Sequence, residues 1–237
     1  QMTFTNFLMM YMSYPYEDPA TGKSVSQLSS QFDNPLWSWK HDQIITNTSR
    51  TVAGFNLSYA FNDNINVSYR LGYNKYDLSR KEIRDRGSRA EGGIGSITTD
   101  SFINEDIEST LLINFDYKLS EDIGLGVILG NNIYQSTNQR TTFKGTELIL
   151  PSIYTLKNTN NVANLLDAGT QKRNAGVFAD VTLSYKDYLF LNGTARNDWS
   201  STLPKDNNSY FYPSVSASFI ATEAFKIDSN ILSFLKF

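Results

Sequence analysis

From about residue 49 onward, apolar and polar residues alternate along the chain with a period of two. In residues 51–61 and 65–73 the larger apolar side chains fall on odd-numbered positions, such as Phe55, Leu57 and Val67. Five further segments repeat this parity, at about residues 111–119, 123–129, 177–185, 189–195 and 211–219. A period of two puts successive side chains on opposite faces of a strand. The pattern therefore predicts seven β-strands, each with two chemically different faces.

The lengths of these segments and of their connections favour a membrane barrel. The runs are about 9–13 residues long, against a mean of about 5–6 in soluble proteins and about 9–11 for a tilted membrane strand. Asn62–Asn64, Ser120–Asp122 and Lys186–Asp187 form tight turns, whereas the connections between them, about 79–106 and 135–173, are long and polar. Short periplasmic turns and long extracellular loops are typical of bacterial outer-membrane barrels. We therefore expect an all-β, antiparallel, up-and-down transmembrane β-barrel.

Aromatic residues gather near both ends of the predicted strands, as the girdles of a membrane barrel require. A soluble β-protein with an aromatic core is the alternative interpretation, but strand and turn lengths favour the membrane. The residues beside the tight turns are Tyr59, Phe61, Phe115, Tyr117, Tyr185 and Tyr188, and those towards the long connections are Tyr73, Tyr76, Tyr210, Phe211 and Tyr212.

The charged residues within the strands assign the two faces. A site facing hydrocarbon does not tolerate a charge at depth. Arg70, Asp116, Asp180 and Arg196 all have even numbers. We therefore expect odd positions to face lipid and even positions to face a polar lumen.

The amino-acid composition excludes several classes of function. Hydrophobic residues make up 40% of the 237 positions, and no run of about 18 apolar residues is present to form a transmembrane helix. The net charge is −3, and the charged residues are scattered along the chain. This argues against a nucleic-acid binder, which would have a basic patch. With no cysteine, disulfide frameworks and thiolate metal sites are excluded.

The ends of the chain differ from its middle. Residues 1–48 lack alternation, so we expect an extracellular-side segment with a short helix in Gln1–Tyr14, followed by barrel over 49–237. The seventh strand ends near Ile220, and residues 231–237 resemble the start of another strand. Open edges are not tolerated in hydrocarbon and bacterial barrels usually have an even number of strands. We therefore expect seven or eight strands of a larger barrel, with a complete eight-stranded barrel as the alternative.

Three segments resemble the SusC/RagA family of TonB-dependent transporters. Phe32–Trp37 is similar to an Asn-Pro-aromatic-Trp stretch that precedes a barrel strand in the family. Tyr188–Ser201 resembles a strand that ends in Arg-x-Asp and paired serines, although many members have Gly where this chain has Trp199. Tyr210–Ala217 is close to the family's Tyr-Phe-Pro-Ser-Val-Ser strand.

The resemblance implies a fold and a function. The parent would be a multi-pass outer-membrane barrel of about 22 strands with a plugged lumen. It would import a large nutrient, a glycan or peptide fragment, into a Bacteroidota cell. Energy would come from a TonB complex, and a SusD-like lipoprotein would cover the extracellular loops. The plug and the TonB box would lie outside this chain.

Two other functions remain open, because a fold alone does not fix a function. The main alternative is a passive porin-like barrel or a structural or assembly barrel. An outer-membrane enzyme is the third, and no catalytic constellation supports it. His41 is the only histidine, so histidine metal cages and Ser-His-Asp triads are excluded within the chain. We expect no cofactor, no metal and no nucleic-acid partner.

Five residues are candidates to line the lumen or contact substrate: Arg70, Asp180, Arg196, Asp198 and Trp199. Arg196 and Asp198 end a strand beside an indole, a combination that suits sugar recognition. The competing interpretation is a structural ion pair that ties a loop to the barrel rim. Trp37 and Trp39, in the N-terminal segment, suit either partner contact or loop packing.

The face assignment predicts an asymmetry between neighbouring positions. A charged substitution at mid-strand Leu57 or Val127 should impair barrel assembly by about 2–4 kcal/mol, because it places the charge in lipid. The same change at Asn56 or Ser68 should be mild. Refolding of each variant into bilayers measures the difference, and equal tolerance at both sets would contradict the assignment.

Overall fold

The computed structural model describes residues 15–26, 32–227 and 232–237. Within them it contains β1 (Gln43–Asn62), β2 (Ile65–Arg84), β3 (Ser96–Lys118), β4 (Ile123–Leu148), β5 (Thr159–Tyr185), β6 (Leu189–Ser200) and β7 (Ser209–Phe219). Two short helices, α1 (Pro35–His41) and α2 (Ala221–Ala224), flank the strands. Single 3-10 turns occur at Arg89–Glu91, Leu156–Asn158 and Lys205–Asn207.

The seven strands form one antiparallel sheet in the order of the sequence, from β1 to β7. This up-and-down order confirms the predicted fold class. In the pairing of β5, β6 and β7, odd residues always oppose odd residues, as in Val181 opposite Gly193 and Gly193 opposite Val215. Each face of the sheet therefore keeps its chemical character from strand to strand.

Side-chain contacts separate the two faces as the alternation predicts. Even-numbered polar residues bond to one another across strands: Arg70 Nε donates to Asn56 Oδ1 at 3.1 Å, and Asn192 Nδ2 donates to Asp180 Oδ1 at 2.8 Å. Odd-numbered apolar residues remain exposed, including Leu57 and Val215, the latter 86% exposed. The even face is thus cross-linked by hydrogen bonds. The odd face is apolar only in part, because some of its residues also form polar cross-strand contacts, such as Tyr73 with Glu105 and Arg173 with Gln135.

The two long connections predicted from the sequence are mostly strand. β2 continues to Arg84 and β3 begins at Ser96, while β4 continues to Leu148 and β5 begins at Thr159, so only residues 85–95 and 149–158 connect them. β1 likewise begins at Gln43 rather than near residue 49. The prediction failed because it required an apolar face. In these outer parts the apolar residues do not alternate regularly, and backbone pairing alone defines the strands.

Helix α1 was not predicted, although its first residues, Pro35–Trp37, lie in the Phe32–Trp37 motif. The Asn34 side chain caps it by accepting a hydrogen bond from the Leu36 amide at 3.0 Å, and Pro35 occupies the first turn. Both are favoured at helix N-termini. The helix predicted at Gln1–Tyr14 lies outside the described residues.

The end of the chain pairs with β7. Phe219 and Phe237 exchange two backbone hydrogen bonds of 3.1 and 2.9 Å, and Ile220 forms an antiparallel bridge with Lys236. Helix α2, Ala221–Ala224, is a single turn that follows β7. The prediction that another strand begins near the end of the chain is therefore supported by backbone pairing.

The chain divides into two compact units. Of the described residues, unit 1 comprises those up to residue 50 together with 76–104 and 138–170, and unit 2 comprises 51–75, 105–137 and those from 171 onward. Unit 1 holds α1 and the connections 85–95 and 149–158, whereas unit 2 holds all three tight turns. Across the described ranges, no helix has the length and apolar character needed to cross a membrane.

The loop between β5 and β6 has three residues, Lys186–Tyr188, since Tyr185 opposes Leu189, and its backbone is strained. Lys186 and Asp187 both have positive φ, 48° and 57°, and the Tyr188 amide donates to the Tyr185 carbonyl at 3.2 Å. Two positive φ values define a type I′ turn, which suits the twist of a hairpin and prefers Asn-Gly. A left-handed conformation costs a residue with a Cβ roughly 1–2 kcal/mol.

Asp187→Gly should therefore stabilise the barrel by about 1 kcal/mol, because glycine adopts this conformation without strain. The temperature at which the folded band disappears on unheated SDS gels measures the gain. Asp63→Gly, in a tight turn without positive φ, is the matched control and should give no gain. An equal effect at both turns would contradict the strain argument.

Candidate functional site

The principal candidate site lies in unit 2, on the even face of β5, β6 and β7. Strand register aligns two neighbouring cross-strand rows there. In the first, Phe178 opposes Arg196 and Arg196 opposes Tyr212. In the second, Gly176 opposes Asp198 and Asp198 opposes Tyr210. The rows place one guanidinium, one carboxylate and three aromatic rings side by side.

Two glycines make room for these side chains. A Cβ at Gly130 of β4 would lie 2.0 Å from the Phe178 ring, so this ring covers the β4 backbone. A Cβ at Gly176 would lie 2.3 Å from Asp198 Oδ1 and 2.6 Å from an Arg196 terminal nitrogen. Glycine in a strand interior often marks such a close approach. Alanine at either position would displace the aromatic ring or the ion pair.

Arg196 and Asp198 form a multiply bonded ion pair. Arg196 Nε donates to both carboxylate oxygens, at 3.0 and 2.8 Å, and its Nη2 lies 2.7 Å from Oδ1. The guanidinium carbon also lies 5.3 Å from the centroid of the Phe178 ring, within cation–π range. The pair is thus fixed by the strand register, by its own hydrogen bonds and by the ring beneath it.

These residues border a recess of about 460 Å³, which we call the tyrosine recess. Tyr210 and Tyr212 are 45% and 54% exposed, and their rings are nearly parallel, with an interplanar angle of 18° and centroids 6.5 Å apart. Glu108 of β3 and Asn132 and Tyr134 of β4 also border the recess. The lining includes Glu108, Asn132, Tyr134, Arg196, Asp198, Tyr210 and Tyr212.

The structure brings together only part of the predicted set of site residues. Arg196 and Asp198 lie in the tyrosine recess, and Trp199 contributes to its lining although it is odd-numbered and opposes Ala175 and Ser209. Asp180 lies elsewhere on the even face, in a depression of about 830 Å³, where its Oδ1 also accepts from Thr182 at 3.3 Å. Arg70 lines another depression, of about 520 Å³.

The sequence did not single out Phe178, Gly130 or Gly176, although parity places all three on the even face. It also grouped Tyr210 and Tyr212 with Phe211 in one aromatic girdle. The register contradicts this grouping, since Tyr212 opposes Arg196 whereas Phe211 opposes Asn197 on the other face. The even numbers of Tyr210 and Tyr212 already place them on a different face from Phe211. This difference was overlooked because all three residues lie near the same strand end.

A second polar cluster lies in unit 1, around α1. Trp37 is fully buried, its indole nitrogen donates to the Gly22 carbonyl at 2.9 Å, and its ring stacks on His41 with centroids 4.5 Å apart. Trp37 therefore serves loop packing, one of its two predicted roles. Trp39, in contrast, is 84% exposed.

His41 joins three segments of unit 1 through carboxylates. Its Nδ1 lies 3.0 Å from Asp85 Oδ2 and its Nε2 lies 3.3 Å from Glu17 Oε2, while the Tyr154 hydroxyl donates to Asp85 Oδ2 at 2.8 Å. Burial, with the hydrogen bond to Asp85, raises the pKa of Tyr154 to about 12. Burial likewise raises the pKa of Asp42, which bonds Arg84 and the Asp85 amide.

Neither cluster has the arrangement of a metal centre. Within residues 15–26, 32–227 and 232–237, no group of three or more histidine, cysteine or acidic side chains is arranged to hold a metal ion. The unit 1 cluster links α1 to the connections, and the unit 2 cluster borders an open recess. Of the two, the tyrosine recess is the better candidate for binding a ligand.

Comparison with known proteins assigns the chain to a family. Residues 3–231 match the family model described as TonB dependent receptor-like, beta-barrel, and the chain therefore belongs to this family of outer-membrane proteins. Among curated relatives, TonB-dependent receptor P3 of Formosa agariphila is 24% identical over 217 residues, which cover 89% of this chain.

Solved structures agree on the fold. The RagAB peptide transporter superposes with a TM-score of 0.79 at 12% identity over 90% of this chain, and the RagAB peptide importer in its open-open state superposes with a TM-score of 0.72 at 15% identity. These matches agree with the SusC/RagA resemblance. The chain spans 21% of receptor P3 and 24% of the RagAB transporter chain, so it corresponds to part of a larger barrel.

The raised pKa of Tyr154 gives a prediction for alkaline pH. A pKa of about 12 in the folded protein, above the unfolded value of about 10, means that the neutral phenol stabilises the fold below pH 10. This contribution is lost as pH rises from about 10 through 12. Urea unfolding in detergent micelles should show a smaller loss of stability over this range in Tyr154→Phe than in the wild type.

Removal of the Tyr154 hydroxyl should also cost about 1–2 kcal/mol at neutral pH, because Asp85 is buried and loses a donor. Tyr76→Phe, whose ring packs near Phe102 in the same unit, is the matched control. Identical pH profiles for the two variants would contradict the role of the Tyr154–Asp85 bond.

Proposed function

We propose that this chain forms part of the barrel wall of a TonB-dependent importer of large nutrients, glycan or peptide fragments. The observation that carries the proposal is the family match over nearly the whole chain, together with a seven-stranded up-and-down sheet. Energy would come from a TonB complex that acts through other parts of the protein. A SusD-like surface lipoprotein would be its partner, a role that the fold likeness to RagAB supports.

The two faces of the sheet would have different surroundings in this importer. The odd face, with Leu57, Val181 and Val215 exposed, would meet outer-membrane lipid as the strands cross the membrane repeatedly. The even face, with Arg70, Asp180 and the Arg196–Asp198 pair, would line the lumen. The supporting argument is energetic, since a basic side chain facing lipid at the bilayer midplane costs roughly 2–4 kcal/mol.

Energy-coupled import is favoured over a passive porin-like barrel by the family match. An assembly barrel would have the same kind of sheet with one polar and one apolar face, but it would not belong to the family of TonB-dependent receptors. We place Trp199 and the other residues of the tyrosine recess in contact with the transported molecule. Arg70 and Asp180 would contribute to the polar lining elsewhere in the lumen.

The test is a mild-detergent pull-down of the full-length receptor from outer membranes, with and without an intact TonB gene. A stoichiometric surface lipoprotein, and growth on the imported nutrient that requires TonB, are the expected results. A receptor that purifies without a lipoprotein and supports growth equally well without TonB would favour the passive barrel. The lipoprotein's own ligand would then serve as an independent guide to the nutrient.

A further inference from the structure

We propose that His41 is a pH-dependent clasp that holds the N-terminal hairpin, residues 16–25, to α1 and to the connection 85–95. As an imidazolium the ring bonds both neighbours, and as a neutral imidazole it keeps only one of them. The clasp is a regulatory device that lies entirely in unit 1. It stands apart from the import function, because it does not depend on what is imported.

The N-terminal hairpin is a small unit with its own backbone hydrogen bonds. The Asp18 amide donates to the Lys23 carbonyl at 2.9 Å, and the Val25 amide donates to the Tyr16 carbonyl at 3.0 Å. Trp37 of α1 bonds its Gly22 carbonyl at 2.9 Å. Glu17, which forms a bridge with Ser24, is the side chain by which the hairpin reaches His41.

The two nitrogens of the His41 ring both face carboxylate oxygens. Nδ1 lies 3.0 Å from Asp85 Oδ2, and Nε2 lies 3.3 Å from Glu17 Oε2. An ionised carboxylate only accepts hydrogen bonds, and a neutral imidazole has one N–H and one acceptor nitrogen. Both contacts can therefore be hydrogen bonds at the same time only when the ring carries two protons.

The surroundings of the two carboxylates keep them ionised. Asp85 Oδ2 also accepts from the Tyr154 hydroxyl at 2.8 Å, and Asp85 Oδ1 accepts from the Arg86 amide at 2.8 Å. Lys40 Nζ donates to Glu17 Oε2 at 2.8 Å, and this hydrogen bond lowers the pKa of Glu17. The proton that completes the second contact therefore belongs to the imidazole.

The other charged groups beside the clasp are paired with each other. Arg84 bonds Asp42 at 3.2 Å, and Arg89 lies 3.9 Å from Asp33. Histidine is the side chain that ordinarily changes its charge between about pH 5 and 8. His41 is 18% exposed, so it can exchange protons with solvent. Its ring stacks on the Trp37 indole, whose face attracts a cation.

The neutral ring should keep Asp85 and release Glu17. The contact with Asp85 is the shorter one, and the Asp85 side chain is 7% exposed against 25% for Glu17. A buried acceptor loses more free energy than a solvated one when its donor is removed. Since the charged ring makes one bond more, protons favour the closed clasp, and its stability falls as pH rises.

The test is hydrogen–deuterium exchange of the full-length receptor in detergent micelles at about pH 5.5 and about pH 8, followed by mass spectrometry of peptides covering residues 16–25. After correction for the intrinsic effect of pH on exchange, protection of the hairpin amides should be about threefold or more lower at the higher pH. His41→Gln should show the lower protection at both pH values, because its amide does not titrate.

Lys40→Gln is the matched control, since Lys40 bonds the same Glu17 oxygen but stays charged at both pH values. This variant should lower protection at both values and retain the pH dependence. Glu17→Ala provides a second test that leaves the His41–Asp85 contact in place, and it should abolish the pH dependence in the hairpin. Heat-modifiability on gels shows which variants are folded.

Three results would overturn the clasp. The first is equal protection of the wild-type hairpin at both pH values. The second is a pH dependence that persists in His41→Gln, which would assign it to Asp42, whose pKa burial raises. The third is a pH dependence that persists in Glu17→Ala. TonB-dependent growth would be unaffected by any of these results, so the clasp and the import function fail under different observations.

Discussion

The pairing of every strand with its neighbour in the same parity is the constraint on which the rest of this structure depends. In hydrocarbon an unpaired backbone group costs several kcal/mol, so each strand must pair along its length. A shift by one residue would exchange its two faces. The register across the turn at 186–188 preserves parity, as does the register between β6 and β7. In β6 and β7 the charged side chains, Arg196 and Asp198, thereby lie on the face opposite to Leu191 and Val215.

The chemical difference between the two faces explains how a recess arises on a sheet without a conventional core. Five residues in the described parts of the chain are buried and hydrophobic, and four of them belong to unit 1. In unit 2, order on the even face comes instead from hydrogen bonds, from the ion pair and from glycines that admit neighbouring side chains. The odd face, exposed in this chain, is proposed to find its apolar surroundings in the lipid.

Unit 1 is held together differently. There, α1 is anchored by a buried indole and by carboxylates shared among His41, Tyr154, Arg84 and Ser88. These bonds join residues more than 40 positions apart in the sequence, and they fix the connection 85–95 against the N-terminal segment. Buried polar networks of this type are stabilising only when every member has its hydrogen-bond partner. The positions of the groups around Asp85 and Asp42 are therefore closely constrained.

The sequence by itself determined the number of strands, their order, the tight turns and the chemical identity of each face, because all of these follow from local alternation and turn chemistry. It did not reveal the outer halves of β2–β5, where apolar and polar residues do not alternate regularly and only cross-strand pairing defines a strand. It named Arg196 and Asp198 as candidates, but not Phe178, Gly130 or the position of Tyr212. Those belong to different strands, and only register and the close approach of side chains to glycine backbone bring them into one recess.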